Sequence, residues 1–570
     1  MQAPSRRPAL WPPLLPGLLL LLLSVPMLWS LAQAALGACD ASAWLALWRN
    51  SQTLAAWRMS LWTGLASAAL ATAACTWLLS RTTTAALLQR LIARQGFLLA
   101  LPHAAFAMGL VLLIAPSGWL LRALSPWATG LLVPPPWPTT QDPWGLGLIA
   151  VLALKEIPFL LWAGGAHLLR PEVAQRLRRE LQLAASLGYG AQTAWWRIVW
   201  PQLLPRLAAP LLAVLAYSLT VVDVAQVIGP GAPPTLAVLA WQWLQDASPL
   251  ENARGVAAAW ALAATVLLCG AAAWSLLNTP VWRKRWTLGP KRAVIQTPVT
   301  QAAAGALKAL TPNLANGLLL GIYLAVLLAL LLGSLVGNWP FPDLLPSRWT
   351  VAAWLSVWDS LPTLWTTLWL AMASAACALL WVLAWLEWAP PRWQRPMQTL
   401  AYAPLLLPGL LWAIGLHRLT LAWGIDASAT GVWLAHTLAC LPYVLLSLAG
   451  PYSGFDGRYA QLAASLGRGR WHFLLRVKWP LLRAPLAACF AVGFAVSVAQ
   501  YLPTLYVGAG RFATVTTEAV NLAAGGQRSL MAAFAWLQWL LPLLVFMAAA
   551  RLGRTRRFPR RAQALGTIQP

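Results

Sequence analysis

Few residues in this 570-residue chain are suited to chemistry, and most of those stand alone. Five histidines, His103, His167, His417, His436 and His472, are scattered along it. None falls in the HExxH spacing by which one helix face presents two imidazoles to zinc. Six cysteines, Cys39, Cys75, Cys269, Cys377, Cys440 and Cys489, lack metal-ligand spacing and read as small packing residues. There is no G-x4-G-K-[ST] segment, hence no phosphate-cradling loop for ATP. We therefore expect no catalytic residue, no metal site, no cofactor and no enzyme. What remains is a set of polar groups inside apolar runs: Lys155, Glu156, Asp223 and, without charge, Gln500 and Tyr501. A charge so placed is costly and faces a cavity or a partner, so its chemistry would be recognition along a substrate path. Polar packing between helices is the plainer account of the same five residues. Lys155 and Glu156 point about 100° apart on a helix and should reach separate partners.

The elements that carry these residues follow from composition. The chain is 60% hydrophobic and 9% charged, with a mean hydropathy of +0.65. A soluble protein would carry roughly a quarter charged residues. Apolar runs of about 20 residues, enough to cross the hydrocarbon core as helix, lie near 14–34, 55–79, 96–116, 145–169, 207–228 and 255–278. A second set lies near 317–337, 363–387, 399–421, 429–450, 484–503 and 529–550. Lipid cannot satisfy backbone donors, and barrel strands would alternate apolar with polar residues. The expected fold class is thus an all-α polytopic membrane protein of about twelve spans, six per half.

The net charge of +26 invites a nucleic-acid reading, which its placement removes. With a cytoplasmic N-terminus, Arg81, Arg90 and Arg94, the group Arg170, Arg176, Arg178 and Arg179, then Arg283, Lys284 and Arg285, and the tail from Arg551 all fall on the cytoplasmic side. That is the positive-inside bias, and it puts both termini in the cytoplasm. The tail RLGRTRRFPRR can also touch anionic lipid, so membrane lipid is an expected partner and nucleic acid is not. Arg6 and Arg7, the first apolar run and the LGAC ending at Cys39 resemble a secretory signal. With more spans following, an uncleaved first helix is expected.

Seven residues, QLAASLG, occur twice, from Gln182 and again from Gln461, and each copy is followed in the same register by a Trp-Pro, Trp200-Pro201 and Trp479-Pro480. LWT at Leu61 recurs at Leu364, LPHAAFAMGL from Leu101 recurs as LPGLLWAIGL from Leu407, and Ser218 matches Ser497. Such order indicates internal duplication. Residues 1–290 form one six-helix repeat with its loop at 170–206, and 291–570 a second with its loop at 451–483. An even number of spans per half makes them parallel repeats with both loops cytoplasmic. In the first loop Val173, Leu177, Leu181 and Ala184 form one apolar stripe on a short helix. Gly188 and Gly190 break it, and a second piece carrying Trp195 and Ile198 runs to Pro201, where the missing backbone donor ends or bends it. A helix, a turn and a helix between two spans make a compact knob.

This pattern resembles the EAA loop, E-A-A-x3-G-x9-I-x-L-P, of permease subunits in binding-protein-dependent ABC importers. Register on Gly188 aligns Ala184, Ile198 and Pro201 with the motif, and Gln182, Leu183 and Trp200 replace its Glu, Ala and Leu. Register on Gly467 gives Gln461, Ala463, Val477 and Pro480 in the same way. Two copies in one chain resemble the fused permeases of thiamine and iron(III) importers. The resemblance implies the type I importer fold of a bacterial inner-membrane protein. It also implies an ABC ATPase partner, in two copies, docked on the loops, and a periplasmic or surface substrate-binding protein. The implied substrate is thiamine, a related small cation or organic solute, or iron(III). The Glu-to-Gln change in both loops removes a carboxylate, although an amide still hydrogen bonds. A twelve-helix secondary transporter is the rival class. It would show a basic-acidic motif between the second and third spans of a half, where LLSRTTTAALLQRLIARQG carries no acid.

Overall fold

The structure, a computed structural model, describes residues 14–82, 85–281, 298–390, 401–402, 404–405 and 407–553. Arg6, Arg7, the basic linker residues Arg283, Lys284 and Arg285, and the tail beyond 553 lie outside the described residues. Regular structure among the described residues is helical, apart from an isolated antiparallel bridge between Val336 and Trp349.

In the first half the order is α1 (Leu14–Leu36), α2 (Ala41–Arg49), α3 (Thr53–Arg81), α4 (Ala85–Leu99), α5 (His103–Ile114), α6 (Trp119–Leu124) and α7 (Leu146–Leu168). It continues through α8 (Pro171–Ser186), α9 (Ala191–Ala194), α10 (Trp200–Thr220), α11 (Asp223–Ile228), α12 (Leu236–Leu244) and α13 (Pro249–Asn278). The second half runs α14 (Pro298–Gly333), α15 (Ala352–Asp359), α16 (Leu361–Trp388), α17 (Gly409–Ala422), α18 (Ala429–Ser453) and α19 (Arg458–Ser465). After these come α20 (Arg470–Phe473), α21 (Trp479–Leu481), α22 (Arg483–Val498), α23 (Leu502–Gly508), α24 (Val515–Gly525) and α25 (Arg528–Gly553).

Ten described helical segments are long and apolar enough to cross a membrane, and Arg470–Leu481 with Arg483–Val498 makes an eleventh span bent by 78°. The twelfth expected span contains α17, which is too short to cross by itself. Three other expectations need correction. The run 96–116 is not one helix, because Pro102 adopts an extended backbone and separates α4 from α5. The runs 207–228 and 484–503 also break, after Thr220 and Val498, and resume as the short helices α11 and α23.

Small residues set how closely the helices approach. The buried face of α3 carries Ala56, Ser60, Thr63, Gly64, Ser67, Ala71 and Cys75. Its hydroxyls turn back on the helix, Thr63 Oγ1 to Met59 O at 2.9 Å and Ser67 Oγ to Gly64 O at 3.1 Å, which satisfies them without a partner helix. A methyl group on Gly64 would lie 2.6 Å from the Leu219 side chain, so α10 packs against that face at backbone distance. Leu18, Leu21 and Leu22 of α1 stay exposed, as lipid-facing leucines do, while Leu23 and Met27 are buried.

The two halves exchange their first helices. Leu23 and Met27 of α1 sit in one apolar core with Leu370, Trp381, Leu438 and Val444 of the second half. Arg418 NH1 donates to Gln33 O at 3.0 Å, fastening α17 to the end of α1. Reciprocally, Tyr323, Val326 and Leu330 of α14 lie in the core built on Leu98, Phe106 and Leu148. Tyr323 OH reaches Leu154 O at 3.2 Å, and Gln95 Nε2 reaches Asn316 Oδ1 at 3.3 Å.

Candidate functional site

The QLAASLG segments build the same object twice. In the first, α8 ends in a turn where Gly188 takes φ +85°; in the second, α19 ends with Gly467 at φ +70°. Gly188 N donates to Ala185 O at 3.0 Å and Tyr189 N to Ala184 O at 3.0 Å. Gly467 N and Arg468 N make the corresponding bonds, to Ala464 O at 3.0 Å and Ala463 O at 2.9 Å. This left-handed glycine stop frees the chain to reverse into α9 and α20. The stripe of α8 turns inward as expected, with Leu177 and Ala184 buried and Val173 and Leu181 half-buried. Ala463 is likewise buried, against Phe473 and Leu474. In the second copy Asp456 opens the helix by accepting from Arg458 N at 2.9 Å. The Arg458 side chain beside it holds the Asp456 carboxyl below the usual carboxylate range.

The expectation at Pro201 is overturned. A π turn, Trp195–Val199, precedes it, and the helix then runs on through α10 without a stop. Trp200 N bonds to Trp195 O in place of the usual fourth-residue partner, and the wide turn accommodates a residue with no donor. A second π turn, Leu474–Lys478, stands at the same register before Pro480, where Trp479 N bonds to Leu474 O. There the helix does bend, at Leu482. Ile198 and Val477 lie half-buried inside these π turns.

The residues that the knobs present outward include the leucine at the motif's first-alanine position, while the second alanine, Ala184 or Ala463, is buried. Gln182 and Gln461 are exposed, and beside them Leu183, Leu187, Leu462 and Leu466 are 63%, 55%, 58% and 68% accessible. Sequence reasoning treated Leu183 only as a replaced alanine and passed over the other three leucines. Their signal was present: apolar residues off the buried stripe, repeated at the same positions. In the first knob a groove of about 330 Å³ lies between α8 and the π turn, lined by Leu183, Ala184, Leu187, Tyr189 and Ile198.

The polar residues inside the apolar runs divide. Lys155 Nζ donates to Leu98 O at 3.2 Å and Leu101 O at 2.5 Å, so it satisfies carbonyls left open where α4 ends. Glu156 turns elsewhere, its Oε1 3.1 Å from His103 Nε2. The His103 ring lies 4.5 Å from that of Tyr217. Tyr443 stands midway along α18 yet leaves 40% of its surface accessible, and His103 leaves 32% of its side chain. His103 and Tyr443 are thus polar side chains within apolar spans that keep part of their surface accessible. Gln500, in the break after α22, instead bonds back to that helix, Nε2 to Val496 O at 3.1 Å. His103, Tyr217 and Tyr443 were missed as site residues, because nothing in their spacing joins three separate spans. Among the described residues no three His, Cys, Asp or Glu side chains gather as metal ligands.

Comparison with known proteins gives a consistent set of relatives. The chain is 35% identical over 469 residues to the inner membrane ABC transporter permease protein YnjC of Escherichia coli (strain K12), covering 82% of this chain and 81% of that protein. It is 32% identical over 114 residues to the thiamine transport system permease protein ThiP of the same organism, 20% of each chain. A third match, 24% over 116 residues, is to the spermidine/putrescine transport system permease protein PotC of Haemophilus influenzae, covering 20% of this chain and 45% of that protein. No protein-family model matches.

Proposed function

The chain belongs to the permeases of ABC transporters, and from that premise we propose that it is the fused membrane subunit of a binding-protein-dependent importer, with its two knobs as the docking points for two copies of a separate ATPase subunit. The observation that carries this reading is the repeated knob: a buried stripe, a left-handed glycine turn and an outward leucine pair, at matched positions in both halves. A loop that only joins two spans needs none of these. Burying a leucine on a partner contributes about 1.5–3 kcal/mol, so four of them offer an apolar surface for docking that does not depend on the missing carboxylates.

Multi-pass insertion in the inner membrane fits the apolar helices and the family. With both knobs and both termini in the cytoplasm, ATP-driven closure of the ATPase pair brings the knobs together. The attached helices then rock, and the path between the halves opens alternately to each side. A loaded binding protein on the outer face biases the same equilibrium, so it and the ATPase influence each other reciprocally.

For the substrate, the polar and aromatic groups within the apolar spans are the supporting feature. Glu156 and Asp223 offer negative charge, and Tyr217, Tyr443 and Tyr501 offer aromatic faces, a set of groups suited to a small organic cation. Thiamine or a related cation is the reading we adopt. The partial likeness to a thiamine and a spermidine/putrescine permease supports it.

The test is substitution of either turn glycine. An L-residue held at left-handed φ costs about 1–2 kcal/mol, and a bulky one displaces the outward leucines. Gly188→Arg and Gly467→Arg should each insert normally, lose transport and release ATPase on purification. Loss of the protein from the membrane, or full transport with ATPase still attached, would argue against the reading.

A further inference from the structure

The two knobs are built alike but are not fastened alike. The second knob closes on Glu387, at the end of α16. Arg470 NH2 lies 3.0 Å from Glu387 Oε1, and Lys478 Nζ lies 2.8 Å from Oε2. Tyr452 OH donates to the same Oε2 at 2.8 Å and accepts from Trp479 Nε1 at 3.3 Å. Arg470 NH2 also bonds the Glu387 carbonyl. Lys478 stands 3.8 Å over the Tyr452 ring, and Arg470 5.3 Å over Trp388. Glu387 is 10% accessible and Lys478 13%, so the bond between them is largely shielded from water and salt, whereas Arg470, at 53%, closes the cluster on its exposed side.

Among the described residues the first knob shows no ion cluster tying it to α3; its carboxylate Glu180 instead accepts from Gln202 Nε2 of α10 at 2.7 Å. By the register of the repeat, Ala191 stands for Arg470, Val199 for Lys478 and Val173 for Tyr452. Its α3 ends in Ser80 and Arg81, and Ser80 Oγ accepts from Gln192 Nε2 at 3.0 Å. A neutral hydrogen bond thus occupies the place of an ion cluster.

At their other ends the two lever helices agree. Ser60 Oγ of α3 accepts from Leu236 N at 2.8 Å, and Thr367 Oγ1 of α16 accepts from Val515 N at 3.0 Å. Leu236 and Val515, the first residues of α12 and α24, are themselves matched by the repeat. Each lever helix is therefore tied by a hydroxyl to the first residue of the matched helix, from positions one turn apart in the repeat, and among the described residues α16 alone is also locked by charge to its knob.

We propose that Glu387 is a positioning residue that fastens the second knob to α16, so that the ATPase stroke reaches the far side of the second half directly and that of the first half more loosely. The proposal rests on the reading of the knobs as ATPase docking points. It goes beyond it in making the two strokes unequal and in assigning the inequality to one carboxylate.

The test uses ATP and vanadate and needs no transported substrate. Nitroxides at positions 62 and 365, exposed residues near the far ends of α3 and α16, are introduced by Trp62→Cys and Trp365→Cys in a variant without native cysteines. Pulsed electron spin resonance then reads the distance change on vanadate trapping in the purified complex with its ATPase. Glu387→Ala should cut the fraction of complexes that shift at least about threefold, equivalent to roughly 0.65 kcal/mol at 298 K, with ATPase still bound. Lys478→Met, which leaves α16 untouched, should do the same, and Glu387→Asp should restore more than half of the shift. Ser80→Ala should reduce it less than twofold. A full shift in both Glu387→Ala and Lys478→Met would overturn the proposal, as would an equal loss in Ser80→Ala. Gly467→Arg is the control for the underlying reading: if it keeps both ATPase and shift, the docking assignment fails, whereas its loss beside a normal Glu387→Ala condemns only the latch.

Discussion

Lys155 and Glu156 are neighbours in sequence with opposite employment. The ammonium of Lys155 is spent on two backbone carbonyls, and the carboxylate of Glu156 is spent on the partly accessible imidazole of His103. Lys155→Met would leave those carbonyls unpaired, at a cost of about 1–3 kcal/mol. We expect a lower melting temperature and less protein in the membrane, with transport per molecule kept, as thermal unfolding of the detergent-purified chain beside quantitative uptake would register. Glu156→Gln and Asp223→Asn should do the reverse, leaving the melting temperature close to that of the parent while uptake falls about tenfold or more. Uptake unchanged in both would remove these acids from the path. That Lys155 and Glu156 would part company was legible, because adjacent helical residues cannot face one another. Which partner each would find was not, since it depends on where Pro102 interrupts α4 and α5 and brings His103 to Glu156.

Between residue and molecule stand the knob and its lever. The amphipathic stripe and glycine turn could be read from sequence because their period and residue types are local. The π turns could not, although each stands directly before a Trp-Pro, since a missing donor is met equally by a stop, a kink or a widened turn. The second knob's helix stops and bends at Leu482, and the first continues to Thr220. If the outward leucines dock the ATPase, Leu183→Glu with Leu462→Glu should lower ATPase retention on the membrane by more than the product of modest single effects. Titrating purified ATPase against vesicles carrying each variant measures this, and retention equal to the parent in the double variant would mean that the docking face is elsewhere. At the far end of the lever, Thr367→Val leaves the buried Val515 N–H without its acceptor. Hydrogen exchange at the start of α24 should quicken by about an order of magnitude for a loss of roughly 1–1.5 kcal/mol, with α12, served by Ser60, unchanged.

At the scale of the molecule, duplication was visible and exchange was not. Composition and repeated segments announce two similar helical halves, but no period in a sequence says which bundle a first helix joins. Here α1 completes the core of the second half and α14 that of the first. Each half alone would leave its partner's groove unfilled, so chains divided near residue 290 should be degraded when expressed singly and co-purify when expressed together. Single stable halves would contradict the exchange. Orientation is tested separately, by cysteines at Gly190→Cys and Gly469→Cys, which should resist a membrane-impermeant maleimide added to intact cells. The measurement that bears most directly on the account as a whole is cross-linking from the knobs. Cysteines introduced as Leu183→Cys and Leu462→Cys, each in a chain without native cysteines, are treated with a short bis-maleimide in membranes that also contain the ATPase subunit. Both positions should link to the ATPase, and the doubly substituted chain should carry two copies of it. Failure of both to link, in a complex that still hydrolyses ATP and transports, would contradict the assignment of the repeated loops as the place where this permease meets its motor.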